Sequence, residues 1–210
     1  MRMRTLSTEQ IQRTIDAFNH DRSVPMILVG SAAIKLHMRE RMAVLTTKPD
    51  VDVLSNADGL QALIHEGTSG KTGPMSFFES DAVSGHVYLT FVPNDIYAQS
   101  GVVTMNAFTG FSDGVYDTSF DDARPTAGPD VQTGLLKMPL ADILDWKLSI
   151  NTTINDIRQI RDVLDVATID GDLTSEQIAQ FDERLRQRSA HARFDRKPLY
   201  SNDDDLRYLL

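Results

Sequence analysis

Between Thr8 and Asn19 the apolar residues Ile11, Ile15 and Phe18 recur at intervals of three and four, the stripe of an amphipathic helix. Ser7 stands three residues before Gln10, a capping-box spacing that marks where this helix starts. VPMILVG then breaks the helical period: it is a short apolar run enriched in β-branched residues and closed by Gly30, and it predicts a buried strand. SAAIKLHMRERM contains neither glycine nor proline and is rich in helix formers, so a helix is predicted to begin at Gly30-Ser31. TTKPDVDVL returns to strand, with Pro49 at its entrance, where a missing N–H is tolerated. The alternation in this strand sends Asp50 and Asp52 to one face and Val51 and Val53 to the core.

Further along, LQALIHEG predicts a short helix, GTSGKTGPM a glycine-rich loop and HVYLTFVP a third strand. IYAQSGVVTMNAF and the segment on to Gly134 read as more strands and polar loops without sharp boundaries. From Pro139 the period becomes helical. ADILDWKLSI and NDIRQIRDVLDVATI are helices parted near Asn151-Thr152-Thr153, and LTSEQIAQFDERLRQR is a last helix with Thr174 and Gln177 at its cap. The order predicts an α/β fold, a small mixed sheet in residues 1–135 followed by a C-terminal helical domain in 136–210. LSTEQI and LTSEQI resemble each other for only one turn, and are two uses of one capping signal rather than an internal repeat.

Composition narrows the chemistry. A chain of 210 residues, 41% hydrophobic and 24% charged, can bury a sizeable core. No apolar run approaches the ~20 residues that span a bilayer, and MRMRTLSTEQ leads into an amphipathic pattern rather than a signal-peptide core, so no membrane association and a cytoplasmic location are expected. The absence of cysteine excludes disulfides, thiol catalysis and thiolate zinc sites, leaving oxygen and imidazole as metal ligands. Oxygen ligands favour Mg2+, Mn2+ or Ca2+. A formal net charge of -9 works against nucleic-acid binding over the whole surface. It leaves room for a local patch, and ERLRQRSAHARFDRK in residues 183–197 carries six Arg or Lys against two acids. Arg184, Arg188 and His191 there are spaced to share one helix face, which is either solvated or a seat for an RNA backbone.

Two carboxylates on one strand face repel each other unless a cation sits between them, although Asp-x-Asp also occurs at solvated strand ends. The Gly30-Ser31 pair upstream changes that balance. At a strand-to-helix junction glycine lets a phosphate approach the backbone, the first turn offers unpaired N–H groups, and the serine hydroxyl adds a donor. The succession of strand, Gly-Ser, helix and Asp-x-Asp strand therefore places a phosphate cradle beside a metal site. The histidines are scattered without the spacing of a zinc site, FSDGVYDTSFDD lacks the register of a calcium loop, and Trp146 follows the helix period as a core or subunit-contact residue.

In this succession the chain resembles the nucleotidyltransferase superfamily related to DNA polymerase beta, and within it the AbiEii-type toxin nucleotidyltransferases. Their pattern of Gly-Gly or Gly-Ser, a helix, Arg-x-Thr and Asp-x-Asp lines up with VGSAAIKLH, the Arg39 to Thr47 segment and KPDVDVL. The likeness continues into the helical half, with Lys147 in DWKLSI and Arg161, Asp162 and Asp165 in IRDVLDV, and so spans Ile27 to Ile169. The resemblance implies that Gly30 and Ser31 bind the triphosphate of an NTP substrate, that Asp50 and Asp52 coordinate Mg2+ or Mn2+, and that Lys147 contacts phosphate. Lys147 could equally pair with a helix neighbour, and Asp162 and Asp165 fit a salt bridge with Arg158. The reaction implied is transfer of an NMP to a hydroxyl of a protein, a tRNA or a small molecule, in a toxin with an antitoxin partner. Active members supply a third carboxylate from the next core strand as general base. HVYLTFVPND carries Thr90 where that acid is expected, and Asp95 just beyond would serve only if the chain bends back. Without it, the domain is a catalytically degenerate binding module of the same fold.

Overall fold

The computed structural model describes residues 4–19, 24–46, 49–68, 75–83, 86–112, 117–149 and 154–194. A short strand β1 (Arg4–Thr5) leads to helix α1 (Thr8–Phe18), whose capping box is formed: Gln10 N–H donates to Ser7 Oγ at 3.1 Å and Ser7 N–H to Gln10 Oε1 at 3.0 Å. Strand β2 (Ile27–Val29) runs into helix α2 (Gly30–Met38), then come β3 (Leu45–Thr46), β4 (Asp50–Leu54) and α3 (Ala57–Thr68). A hairpin follows, β5 (Met75–Val83) and β6 (His86–Pro93), then the short helix α4 (Asp95–Gln99) and strand β7 (Thr104–Phe108). Beyond are β8 (Gly110–Ser112), β9 (Asp117–Ser119), α5 (Phe120–Ala123), β10 (Gly128–Pro129) and β11 (Leu136–Lys137). Three helices close the chain: α6 (Leu140–Ser149), α7 (Ile154–Asp170) and α8 (Ser175–Phe194).

The principal sheet has seven strands in the order β10-β11-β2-β4-β7-β6-β5, with β11–β2 and β4–β7 parallel and the other neighbours antiparallel. The mixed α/β class is thus as expected. One face of its centre is fully apolar: Val51, Val53, Leu89, Phe91, Met105 and Ala107 are all at most 1% exposed. Ile11, Ile15 and Phe18 of α1 join this core, with the Phe18 ring 5.8 Å from that of Phe91. The opposite face carries the polar members of the same strands, as a period of two requires.

Several boundaries differ from the sequence pattern for local reasons. Helix α2 stops at Met38 because Arg39 takes φ +51, a left-handed value that ends the helix. Lys35 Nζ donates to the Arg39 carbonyl, and the Arg39 guanidinium reaches Asp130 at 3.3 Å. IYAQ is helical rather than extended because Asn94 caps it, its Oδ1 accepting from Tyr97 N–H at 3.3 Å. Strand β5, beginning at the end of the expected glycine loop, has no counterpart in the sequence reading. The rest of that loop, residues 69–74, lies outside the described residues, as do Thr47 and residues 150–153.

The three closing helices do not stand apart from the sheet. Ile143, Leu144, Leu148, Ile160, Val163, Phe181 and Leu185 belong to one continuous hydrophobic cluster with the residues of β2, α2 and β4. Helix α8 has the predicted Thr174/Gln177 capping box. Arg184 and Arg188 do not form a free face: Arg184 pairs with the Asp145 carboxylate and reaches Ser149 Oγ at 3.2 Å, and Arg188 donates to the Ser149 carbonyl at 3.0 Å. These two side chains fasten α8 to the last turn of α6, whose unpaired carbonyls attract cations. The side chain of His191 lies outside the described residues.

Asp130 is the one carboxylate in the connection from α5 to α6, and it is buried. Burial opposes its charge, but the N–H groups of Thr133 and Gln132, the Thr133 hydroxyl and Lys137 favour the anion and hold its pKa at about 2. A depressed pKa contributes stability that is present above the unfolded value of 3.8 and lost as the pH falls toward about 2. Asp130→Ala is expected to cost about 2 kcal/mol at neutral pH in urea unfolding. The gap to wild type should close as the pH is lowered through that window.

Candidate active site

Strand β4 lies between β2 and β7, so its polar face sits at the middle of the sheet. The parallel register of β4 and β7 sets Asp52 level with Asn106, and the antiparallel register of β7 and β6 sets Asn106 level with Thr90. One row across three strands thus reads Asp52, Asn106, Thr90. The Asn106 Nδ2 donates to Asp52 Oδ1 at 2.9 Å and to Asp50 Oδ2 at 3.3 Å. Its Oδ1 accepts from the Tyr88 hydroxyl at 3.0 Å and the Thr90 hydroxyl at 3.1 Å. Both aspartates therefore converge on a single nitrogen.

Helix α2 begins against the same carboxylates. Gly30 has φ +59, and a Cβ placed on it would stand 2.5 Å from Asp52 Oδ2, closer than atoms can approach. Glycine is needed here twice over, for its backbone angle and for the space Asp52 occupies. Val29, at the N-cap of α2, supplies no side-chain hydrogen bond to the first turn. The N–H groups of this helix start are left for other acceptors, with Ser31 half-buried beside them.

The electrostatics follow from this crowding. Burial, and then the neighbouring Asp52 charge, push the Asp50 carboxyl up to about 7, against opposing contributions from Lys147 and Asn106. Burial also raises Asp52, again opposed by Asn106 and Lys147. Lys147, on α6 and only 7% exposed, is thus brought within electrostatic reach of both carboxylates. A row of ring contacts carries α6 there. Tyr88 stacks on Phe108 at 5.3 Å, Phe108 meets Phe111 edge-on at 5.9 Å, and Phe111 stacks on Trp146 at 4.5 Å. Trp146 is a strut between sheet and helix, in keeping with a packing role.

The structure therefore brings together Gly30, Asp50, Asp52 and Lys147, with Ser31 at the adjoining helix start. It does not bring in Asp95, which is exposed on α4, beyond the end of β6, and is not among the groups that act on the charges of the pair. The strand next to β4 is also not the one expected. Because the β5–β6 hairpin sits outside β7, the position facing Asp52 belongs to Asn106 rather than to Thr90. Asn106 and Tyr88 were missed because TMNAF is too short to announce its pairing partner, although Thr104 and Asn106 alternate with Met105 and Ala107. Asp162 and Asp165 are exposed on α7, as is Arg158. Asp122 serves the Ser119 cap of α5 rather than a calcium loop.

As donors, the pair fits a hard divalent cation: two carboxylates held within reach of one another by a neutral amide, both made reluctant to ionise by burial, beside a glycine cradle. Among the described residues no group of three or more His, Asp or Glu side chains is assembled for a metal. Any such ion here would share its coordination with the ligand or water.

The raised Asp50 gives a pH signature. An acid with a raised folded-state pKa binds its proton more tightly when folded, so its destabilising effect is absent below 3.8, grows toward about 7 and is complete above it. Asp50→Asn is expected to be more stable than wild type at and above that upper value, with the advantage vanishing near pH 4, as read by urea unfolding across the range. Gly30→Ala is expected to lose about 1 kcal/mol or more in the same assay, through its backbone angle and the displaced Asp52 carboxylate.

No protein-family profile matches this chain, and no curated protein matches it. Among solved structures, the crystal structure of ANT(2")-Ia in complex with adenylyl-2"-tobramycin is similar over 87% of this chain and 99% of its own, at 12% sequence identity and a TM-score of 0.48.

Proposed function

We propose that this chain is a metal-dependent nucleotidyltransferase, moving an NMP from an NTP to an acceptor hydroxyl with release of pyrophosphate. The observation that carries this reading is the contact of Gly30 with Asp52: an uncapped helix start, a glycine and a paired carboxylate occupy one spot. Such a spot offers N–H donors to phosphate and carboxylates to its counter-ion. Gly30 leaves the backbone accessible to a phosphate oxygen, and the Ser31 hydroxyl adds a donor. Asp50 and Asp52 would hold Mg2+ or Mn2+, which when bound supplies charge neutralisation for the triphosphate and its leaving group. Lys147 offsets negative charge at the carboxylates and at phosphate oxygens brought beside them. Ring packing through Trp146 keeps Lys147 in position, so that catalysis here is orientation and electrostatics.

One observation favours a second reading, a nucleotide-binding module of the same fold without catalysis. Asn106 faces the pair from the neighbouring strand, and an amide cannot take a proton from an acceptor hydroxyl. The two readings differ in transfer, not in binding. The AbiEii-type resemblance adds a toxin role with an antitoxin partner, which is proposed on that resemblance alone.

Purified protein with Mg2+ and each α-labelled NTP, offered cell extract, tRNA or an aminoglycoside in turn, is expected to label one acceptor class. Asp52→Asn should abolish that label, and Lys147→Ala should lower kcat about a hundredfold. NTP binding by calorimetry without label on any acceptor would establish the binding module instead. Absence of both would remove the nucleotide reading.

A further inference from the structure

We infer that Asn106 makes the aspartate pair a site for a single divalent cation, by presenting N–H donors where a second ion would need an anionic oxygen. The inference rests on reading the pair as a cation site, and concerns how many ions that site takes.

The orientation of the Asn106 amide follows from its neighbours. With the pair ionised, as a bound cation requires, both carboxylates only accept hydrogen bonds, so the end of the amide 2.9 Å from Asp52 Oδ1 and 3.3 Å from Asp50 Oδ2 is the NH2 end. Turning the amide over would press its oxygen against carboxylate oxygens, lone pair on lone pair. The other end then accepts from two hydroxyls, Tyr88 and Thr90, on the adjacent strand. Asn106 is 8% exposed and is held at both ends, so its oxygen is committed away from the pair. Rotating it toward a metal would strand both hydroxyls and break both carboxylate contacts.

Charge leads to the same count. Two carboxylates carry the charge that one divalent ion neutralises. A second ion would leave the cluster strongly cationic beside Lys147, whose positive charge already acts on both aspartates. Among the described residues there is no third carboxylate grouped with the pair to offset that charge. Asn106 is therefore a positioning residue: it holds the two ligands converged without adding a third. An aspartate at the same place would supply the missing anionic oxygen.

The test is a count of Mn2+ bound to the full chain without nucleotide, by paramagnetic resonance of the free ion carried into the millimolar range. One ion per wild-type chain is expected, with affinity weakened at least about tenfold in Asp52→Asn. Asn106→Asp should take up a second ion. It should also melt below wild type without Mn2+ and regain more in its presence, because three converged acids repel until neutralised. Asn106→Ser, which adds no charge, keeps the count at one if the Asp variant fails to fold. Two ions or none on wild type, two on Asn106→Ser, or a folded Asn106→Asp that still binds one would overturn the inference. The outcomes separate from those of the functional reading: a one-ion protein that neither binds nor transfers nucleotide sinks only that reading, and a two-ion protein that transfers NMP sinks only this inference.

Discussion

A single amide nitrogen shared between two carboxylates is the contact around which the polar face of this sheet is arranged. It exists only because β7 is inserted between β4 and β6, so that Asp52, Asn106 and Thr90 fall in one row. The row would be unstable as bare charge. Hydroxyls behind the amide fix its direction, the glycine at the start of α2 makes space for Asp52, and a lysine on α6 balances what remains. Each of these parts comes from a different element, and the ring contacts from Tyr88 to Trp146 keep the most distant of them in register.

The distribution of charge over the rest of the molecule sharpens this contrast. The chain is acidic overall, yet several of its cations are spent on internal fastening: Arg39 on Asp130, Arg41 on Asp170 and Asp172, Arg184 on Asp145. Lys147 differs from these in facing the aspartate pair. The basic stretch near the C-terminus looks like a surface for polyanions when read as a string, but Arg184 and Arg188 within it are occupied in holding α8 to α6.

How much could be read from the residues alone depended on the range of the interaction concerned. The first helix, the Gly30 junction, the strand of Asp50 and Asp52, and the cap of the last helix are governed by neighbours within four positions, and their patterns are strong. Arg39 ending α2 was hidden because its partner, Asp130, lies 91 positions away. HVYLTFVP is the next obvious strand along the chain, and its pattern points to Thr90 as the position facing the acids. Nothing local says that the hairpin ending in that strand folds outside β7. Spatial neighbours in a mixed sheet are chosen by crossover connections, which periodicity does not encode.

The parallel pairing of β4 with β7 has a consequence in time as well as in space. Asp52 and Asn106 are 54 residues apart, whereas β5 and β6 are joined as a hairpin and can pair as soon as both are made. Long loops close slowly relative to hairpins, so the hairpin is available before the strand that must enter beside it. During synthesis the two aspartates emerge first, the amide that holds them emerges later, and Lys147 last of all. The carboxylates spend that interval in water, and the burial that sharpens their mutual repulsion comes only when β7 closes the row.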